Sequence, residues 1–316
     1  MRRNKCGILW PHSSPVPELL TAEAATRGIA IHLGAMPTLG AIVGFDAAWI
    51  SQWLNTKVQK QKPLFDLLQR AELPAQVALL LLRLSAVPSM GYLMQVTPPP
   101  LLAQHAQHFD GLVLETAIQR LGLPQPLSDK ATLTLHMPIR IGGFGLRSAV
   151  RTSPAAYYSA VARTAPDILD TVPAEIHKPL LVEEKTRVQM ANYIQSCLTE
   201  FKQAGIAAGD VLPADLEGFW AKHSQLADDS RLQKVLTGWV EDRALEEMKK
   251  TLTRSGLQRI TSSAGKYAGA WLTTIPSVYA LQLKTKPWQS RLGSDWASSF
   301  RTGSRPIAVA VQDLLI

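Results

Sequence analysis

The amino-acid sequence predicts a mainly α-helical protein, a helical bundle with a small β element at its N-terminus. Hydrophobic residues make up 46% of the 316 residues and charged residues only 18%, which is enough apolar material for a sizeable core. Short apolar runs separated by Gly and Pro are confined to residues 1–45, whereas apolar residues recur at helical spacing from Asp46 onward. The length corresponds to about two or three folding units.

The β element is predicted from apolar runs at residues 8–10, 29–31 and 39–44, each bounded by breaker residues. The first helix follows, with Asp46 as its N-cap residue and its end before Pro63. Its apolar face consists of residues at steps of three, four and seven: Trp49, Ile50, Trp53, Leu54 and Val58. We expect this face, with both tryptophans, to pack in the core.

Further helices are predicted at residues 64–73, 74–87, 101–121, 153–165, 180–204, 215–226 and 230–255. In the last of these, Glu246 and Lys250 have the i,i+4 spacing of an ion pair. The helical signal fades after Gly256, and residues from about 294 are predicted to be poorly ordered. A loop at residues 137–146 interrupts the helical pattern, and we interpret it as a tight connection between helical layers.

Two motifs in this part of the chain suggest chemistry without meeting its requirements. His105 and His108 lie three apart on a predicted helix, but no further metal ligands accompany them, which favours surface or capping histidines. The run Gly142-Gly143-Phe144-Gly145 lacks the spacing of either known phosphate-binding glycine motif. There is also no Gly-x-Ser-x-Gly elbow, so a hydrolase would need a site assembled only in space.

The positive charge is concentrated at the C-terminal end of the chain. Residues 1–248 contain 23 basic and 23 acidic side chains, and residues 249–316 contain 10 basic and 2 acidic ones, which accounts for the net charge of +8. Such a segment attracts polyanions, although a basic tail that only aids solubility has the same composition. The candidate nucleic-acid contacts are Lys249, Lys250, Arg254, Arg259, Lys284, Lys286, Trp288, Arg291, Arg301 and Arg305, with the tryptophan as a base-stacking residue.

Composition also indicates the cellular environment. Cys6 and Cys197 are too few and too far apart for a disulfide framework, which favours a reducing, intracellular compartment. The most apolar run, residues 77–82, is followed by Arg83 and Pro88, and we therefore expect a buried helix and no membrane partner.

Several runs, taken in order, resemble the region after the palm in reverse transcriptases of non-LTR retrotransposons. The resemblance covers residues 1–160 well and continues more loosely to residues 269–276 and 291–293. The matching runs are Lys5-Cys6 with Ile8-Leu9-Trp10-Pro11, Leu39-Gly40-Ala41-Ile42-Val43-Gly44, Leu80-Leu81-Leu82-Arg83-Leu84-Ser85, Pro98-Pro99-Pro100, Phe109-Asp110, Leu135 to Ser148, and Pro154-Ala155-Ala156-Tyr157-Tyr158.

The resemblance implies roles for particular segments. Leu39, Gly40 and Gly44 match the turn that grips the primer strand, and the helices from Asp46 on match the thumb. Residues 1–45 would then be a palm remnant, 46–150 a thumb-like helical domain, 151–290 a second helical region and 291–316 a basic tail.

The polymerase centre of this family requires an aromatic-x-Asp-Asp segment and a further aspartate to hold divalent metal ions. The Asp-Asp pair of this chain, Asp228-Asp229, follows Leu226-Ala227 instead. We therefore expect no catalytic residue, no metal and no polymerase activity in this chain alone, a polymerase half that precedes it, and residual non-specific binding of RNA or DNA. The alternative is a non-catalytic helical interaction protein or a nonfunctional relic.

Overall fold

The computed structural model describes residues 6–11, 14–44, 46–171, 189–206, 212–223, 231–265, 267 and 269–273. Within these residues the chain is mainly helical and has a small strand element near its N-terminus, which confirms the predicted fold class. Strand β1 (Gly7–Trp10) pairs in parallel with β2 (Ala30–Leu33), and β3 (Ala35–Thr38) pairs antiparallel with β4 (Ala41–Gly44).

The prediction of an all-β N-terminal segment is wrong in one respect. Helix α1 (Glu18–Arg27) connects β1 to β2 and ends at Gly28, whose φ of 63° is left-handed. The helix was missed because only Ala24 on it is buried, so it carries no apolar stripe that a periodicity search would detect.

The next helices form the first half of the bundle. Asp46 caps α2 as predicted, since its carboxylate accepts hydrogen bonds from the N–H groups of Ala48 and Trp49 at 2.9 and 3.1 Å. Gly122, at φ 64°, also ends its helix as predicted. The helices of this half are α2 (Ala47–Gln59), α3 (Lys62–Leu68), α4 (Ala75–Leu81), α5 (Gly91–Val96) and α6 (Pro99–Leu121).

The predicted end of a helix at residue 87 is wrong. Helix α4 continues through a π-helical turn (Leu82–Ala86) and a 3-10 turn (Val87–Met90) into α5, so residues 75–96 form one helical rod across Pro88. This rod of 22 residues is long and apolar enough to cross a membrane by length and composition, with a mean hydropathy of 1.6 in its most apolar window of 18 residues. Leu82 and Met90 of the rod are buried in a core cluster of the protein, as in a core helix.

The second half begins after a short helix, α7 (Asp129–His136), that the sequence pattern did not indicate. The single helix predicted at residues 230–255 is two helices, because the chain turns at residues 251–253 and a new helix includes Gly256. In the described residues the remaining helices are α8 (Ala149–Thr171), α9 (Gln189–Gln203), α10 (Leu216–His223), α11 (Leu232–Lys250), α12 (Arg254–Ser263) and α13 (Ala270–Thr273).

The described residues form two large apolar cores. The first includes side chains of α2 to α7, such as Leu54, Phe65 and Phe109, and the second is formed by side chains of α8 to α11, such as Tyr158 and Trp220. Helix α8 packs on α5 and α6 as well as on α10 and α11, so it joins the two cores.

Two smaller predictions about side chains are corrected. Trp53 packs against the first core, but Trp49 is 44% exposed. Lys250 does not pair with Glu246: its Nζ lies 2.7 Å from the Glu247 carboxylate, while Glu246 pairs with Arg243. Arg243 contacts both glutamates, at 3.2 Å from Glu246 and 3.5 Å from Glu247, so Glu247 is shared between Arg243 and Lys250.

Candidate nucleic-acid interface

The structure describes four of the ten predicted nucleic-acid contacts, and all four lie at the end of α11 or in α12. Lys249 and Lys250 form the last turn of α11, Arg254 opens α12, and Arg259 lies one and a half turns further on. The other six, together with the predicted tail, lie outside the described residues: Lys284, Lys286, Trp288, Arg291, Arg301 and Arg305.

A small third apolar cluster fixes α11 and α12 against the rest of the protein. Leu245 and Met248 of α11 meet Ile260 of α12 on Met137, which follows α7. The turn between the two helices is held from outside, since Lys130 Nζ donates to the Thr251 carbonyl oxygen at 2.7 Å. The basic residues therefore belong to a packed part of the protein.

The glycine loop at residues 137–146 supports α12 by close backbone packing. A Cβ atom at Gly142, where φ is 92°, would lie 2.6 Å from Ser263 Oγ and 3.0 Å from the Ile260 carbonyl oxygen, both on α12. A Cβ at Gly143 would lie 2.2 Å from the Met137 carbonyl oxygen. The interpretation of this loop as a tight connection between helical layers is confirmed.

The charges around α12 are unbalanced. From Met248 to Thr273 the sequence contains five Lys and Arg residues and no Asp or Glu. Within the described part of the chain, Lys249, Arg254 and Arg259 form no ion pair, whereas Lys250 is paired with Glu247. Arg254 lies in the first turn of α12, where the helix dipole disfavours a cation and favours an anion.

A buried carboxylate anchors the neighbouring arginines of the loop. Arg147 Nε lies 3.3 Å from Glu241 Oε1, and Arg140 forms an ion pair with Asp242 at 2.9 Å. Burial raises the pKa of the Glu241 carboxyl, and the neighbouring arginines act against that shift. These pairs connect the loop to α11 and leave both guanidinium groups half-exposed at the surface.

The residues predicted to resemble a primer grip form the turn and one strand of a hairpin. Leu39 (φ 52°) and Gly40 (φ 83°) are the two residues between β3 and β4, and two positive φ angles are typical of a type I′ turn. Tyr92 Oη donates to the Leu39 carbonyl oxygen at 2.9 Å. A Cβ at Gly44 would lie 2.4 Å from the Gly34 carbonyl oxygen, so Gly44 serves close strand packing.

The backbone conformation of Leu39 is rare for a leucine, and this allows a test of stability. Its side chain is 91% exposed, and a left-handed conformation costs a leucine about 1–2 kcal/mol. We expect Leu39→Gly to raise the free energy of unfolding by about 1 kcal/mol, measured by urea denaturation. Leu19→Gly is the matched control: Leu19 is 83% exposed on α1, and we expect a loss of about 0.8 kcal/mol there. Equal losses from both variants would contradict the assigned strain.

The prediction of surface or capping histidines holds for His108, which is exposed, and is wrong for His105. His105 is buried, its Nε2 lies 3.0 Å from Ser51 Oγ, and burial and the nearby His108 lower its pKa. No group of three or more metal-ligating side chains occurs in the part of the chain that the structure describes.

Sequence reasoning missed Lys130, Arg140, Arg147 and Glu241. These residues come from three separate segments, and no spacing along the chain signals their proximity.

No protein-family model, curated protein or solved structure matches this chain.

Proposed function

We propose that this protein binds nucleic acid through phosphate contacts, without reading sequence, at the end of α11 and along α12. The observation that carries the proposal is the group of cations Lys249, Arg254 and Arg259, which form no ion pair with any described residue and lie beside the first turn of a helix, in a stretch without acidic residues. A phosphate there would be attracted by the side-chain charges and by the helix dipole. No acidic side chain from that stretch opposes it.

We further propose that the chain derives from the primer-grip and thumb region of a non-LTR reverse transcriptase. The support is the order of sequence runs described above, together with the exposed hairpin turn at Leu39 and Gly40 followed by a helical bundle. Because the aromatic-x-Asp-Asp segment is missing, we expect the purified chain to incorporate no nucleotide on a primed template, with or without divalent metal. Incorporation would contradict this expectation.

The binding proposal is tested by removing four cations together. The variant combines Lys249→Ala, Lys250→Ala, Arg254→Ala and Arg259→Ala. We expect its affinity for a short labelled duplex to fall roughly tenfold or more, and the slope of log K against log salt to flatten by about 3 units between about 50 and 200 mM salt. Fluorescence anisotropy measures both quantities.

A matched control removes the same number and kind of charges elsewhere. Lys60, Lys62, Arg70 and Arg163 are exposed, and they lie in the part of the sequence whose charges balance. We expect their replacement by Ala to change the salt slope by less than about 1 unit. If both quadruple variants weaken binding equally, net charge alone explains the binding and the assignment to α12 is wrong.

A second candidate function is that of a helical interaction protein. The observation that favours it is the exposure of apolar side chains in the N-terminal strand element, where Leu39, Val43 and Leu33 are 91%, 53% and 47% exposed. This candidate predicts that the protein self-associates at high salt and that the double variant Leu39→Ser, Val43→Thr does not, as measured by light scattering. Salt-sensitive binding by a monomer would contradict it.

A further inference from the structure

A cavity of about 440 Å³ lies between the helical rod of residues 75–96, the glycine loop and α11. Its volume is in the range of roughly 300–1,000 Å³ that is typical of small-molecule sites. Arg83 comes from the rod, Gly145 and Arg147 from the loop, and Gln233 and Thr237 from α11. None of the four cations of the proposed interface lines it, so the inference below does not rest on that proposal.

The lining of the cavity is cationic. Of the described residues, Arg83 and Arg147 are the charged ones that line it, and no Asp or Glu among them does. Arg83 is only partly exposed, and its Nη2 donates to the Leu272 carbonyl oxygen at 2.8 Å. Burial lowers the pKa of Arg83, and no carboxylate counteracts that shift. Within the part of the chain that the structure describes, the Leu272 carbonyl oxygen is the one hydrogen-bond partner of Arg83, so its desolvated guanidinium keeps unused donors and favours an anion.

The loop makes room for this arginine. Gly145 has a φ of 74°, and a Cβ there would lie 2.9 Å from Cδ of Arg83 and 3.3 Å from Ile139. The side chain of Arg83 therefore passes directly over the glycine, and any other residue at this position would push it away. The second cation, Arg147, shares the carboxylate of Glu241 at 3.3 Å and is itself half-exposed.

The other walls supply apolar surface and polar groups. Val87, Pro88, Met94, Pro138 and Ile139 form the apolar part. Gln95 donates its amide to Gln233 Oε1 at 3.1 Å, which leaves the Gln233 amide nitrogen as the donor for a ligand. A free phosphate ion would fill only a small part of this space, whereas a phosphate joined to a planar or apolar body would use both the cationic and the apolar walls.

We propose that this cavity binds an organic phosphate of about the size of a mononucleotide, with the phosphate at Arg83 and Arg147 and the body against Val87, Met94 and Ile139. Guanidinium groups recognise phosphate through charge-assisted, often bidentate hydrogen bonds. The ligand is either a free nucleotide or one unpaired nucleotide of a strand, since both present the same chemistry to the cavity.

The test is titration calorimetry of the full chain with AMP, compared with adenosine and with inorganic phosphate. We expect saturable binding of AMP, and at least tenfold weaker binding of adenosine and of inorganic phosphate, because each lacks half of the ligand. Arg147→Ala should weaken AMP binding by about tenfold or more. Equal affinity for AMP and inorganic phosphate would overturn the assignment of the apolar wall.

A second variant blocks the cavity without touching either arginine. Gly91 lines the cavity on the helical rod, and a Cβ there meets no atom within 4 Å, so we expect the side chain of Gly91→Leu to start in open space and to fill the cavity. We expect Gly91→Leu to abolish AMP binding, and the quadruple α11–α12 variant to leave it unchanged. AMP binding that survives both Arg147→Ala and Gly91→Leu would overturn the proposal.

The two sources of the ligand are distinguished with a single-stranded oligonucleotide. If the natural ligand is part of a strand, AMP binds weakly and the oligonucleotide loses affinity on Gly91→Leu in anisotropy. If the ligand is free, AMP binds and the oligonucleotide affinity is unaffected by Gly91→Leu. A chain that binds neither AMP nor an oligonucleotide in a Gly91-dependent manner contradicts the proposal.

Discussion

Gly143→Ala is expected to destabilise the protein by about 3 kcal/mol or more, because the added methyl group has no space. Its Cβ would lie 2.2 Å from the carbonyl oxygen and 2.5 Å from the carbonyl carbon of Met137. Both partners are held: Met137 is 2% exposed in the third apolar cluster, and Gly143 N–H donates to the Pro138 carbonyl oxygen at 3.1 Å. Backbone atoms cannot move aside as a flexible side chain can.

The measurement is the midpoint of urea denaturation, followed by tryptophan fluorescence. Gly111→Ala is the matched control, since Gly111 is an exposed residue inside α6 and a Cβ there meets no atom within 4 Å. We expect this control to stabilise the protein by about 0.5–1 kcal/mol, as alanine does in a helix interior. Similar effects from the two substitutions would show that the loop is not closely packed.

Asp110→Ala is expected to lower the free energy of unfolding by about 3 kcal/mol, because it removes a helix cap and leaves hydrogen-bond donors without an acceptor. The Asp110 carboxylate, on α6, accepts hydrogen bonds from Ser148 Oγ at 2.5 Å, from Ala149 N–H at 2.7 Å and from Val150 N–H at 3.2 Å. It thus caps the first turn of α8 from a different helix. Because the site is buried, water does not replace these bonds when the carboxylate is removed.

Two further variants separate this cap from the removal of a charge. Asp110→Asn keeps an acceptor oxygen for the Ala149 N–H, and we expect it to cost about 1 kcal/mol. Asp167→Ala removes an exposed carboxylate on α8 and should change stability by less than about 0.5 kcal/mol. An Asp110→Ala variant as stable as the Asp167→Ala variant would contradict the capping role.

The order of helices could be predicted from the sequence because local signals mark many of their ends. Asp46 caps α2 through its own carboxylate, and Gly122 ends α6 in a left-handed conformation that other residues adopt at a cost. The position of four cations near α12 was likewise visible as a charge imbalance. Each of these signals acts over a few neighbouring residues, and this is why a sequence pattern detects it.

Local rules fail where distant contacts decide the outcome. Pro88 predicts the end of a helix, yet the rod continues through it. Leu82 before the proline and Met90 and Leu93 after it are buried, and their burial outweighs the backbone hydrogen bond that the proline removes. Helix α12 was missed because its only buried residue, Ile260, packs on Met137 across more than 100 residues of sequence.

The sequence by itself determined the helical class, the β segment at the N-terminus and the concentration of positive charge after residue 248. Only the tertiary structure decided that Asp110 caps α8 and that Arg83 and Arg147 line one cavity. The physical reason is range: propensity, capping and charge act between neighbours in the chain, whereas burial and cavity formation depend on side chains that meet only after the helices have packed.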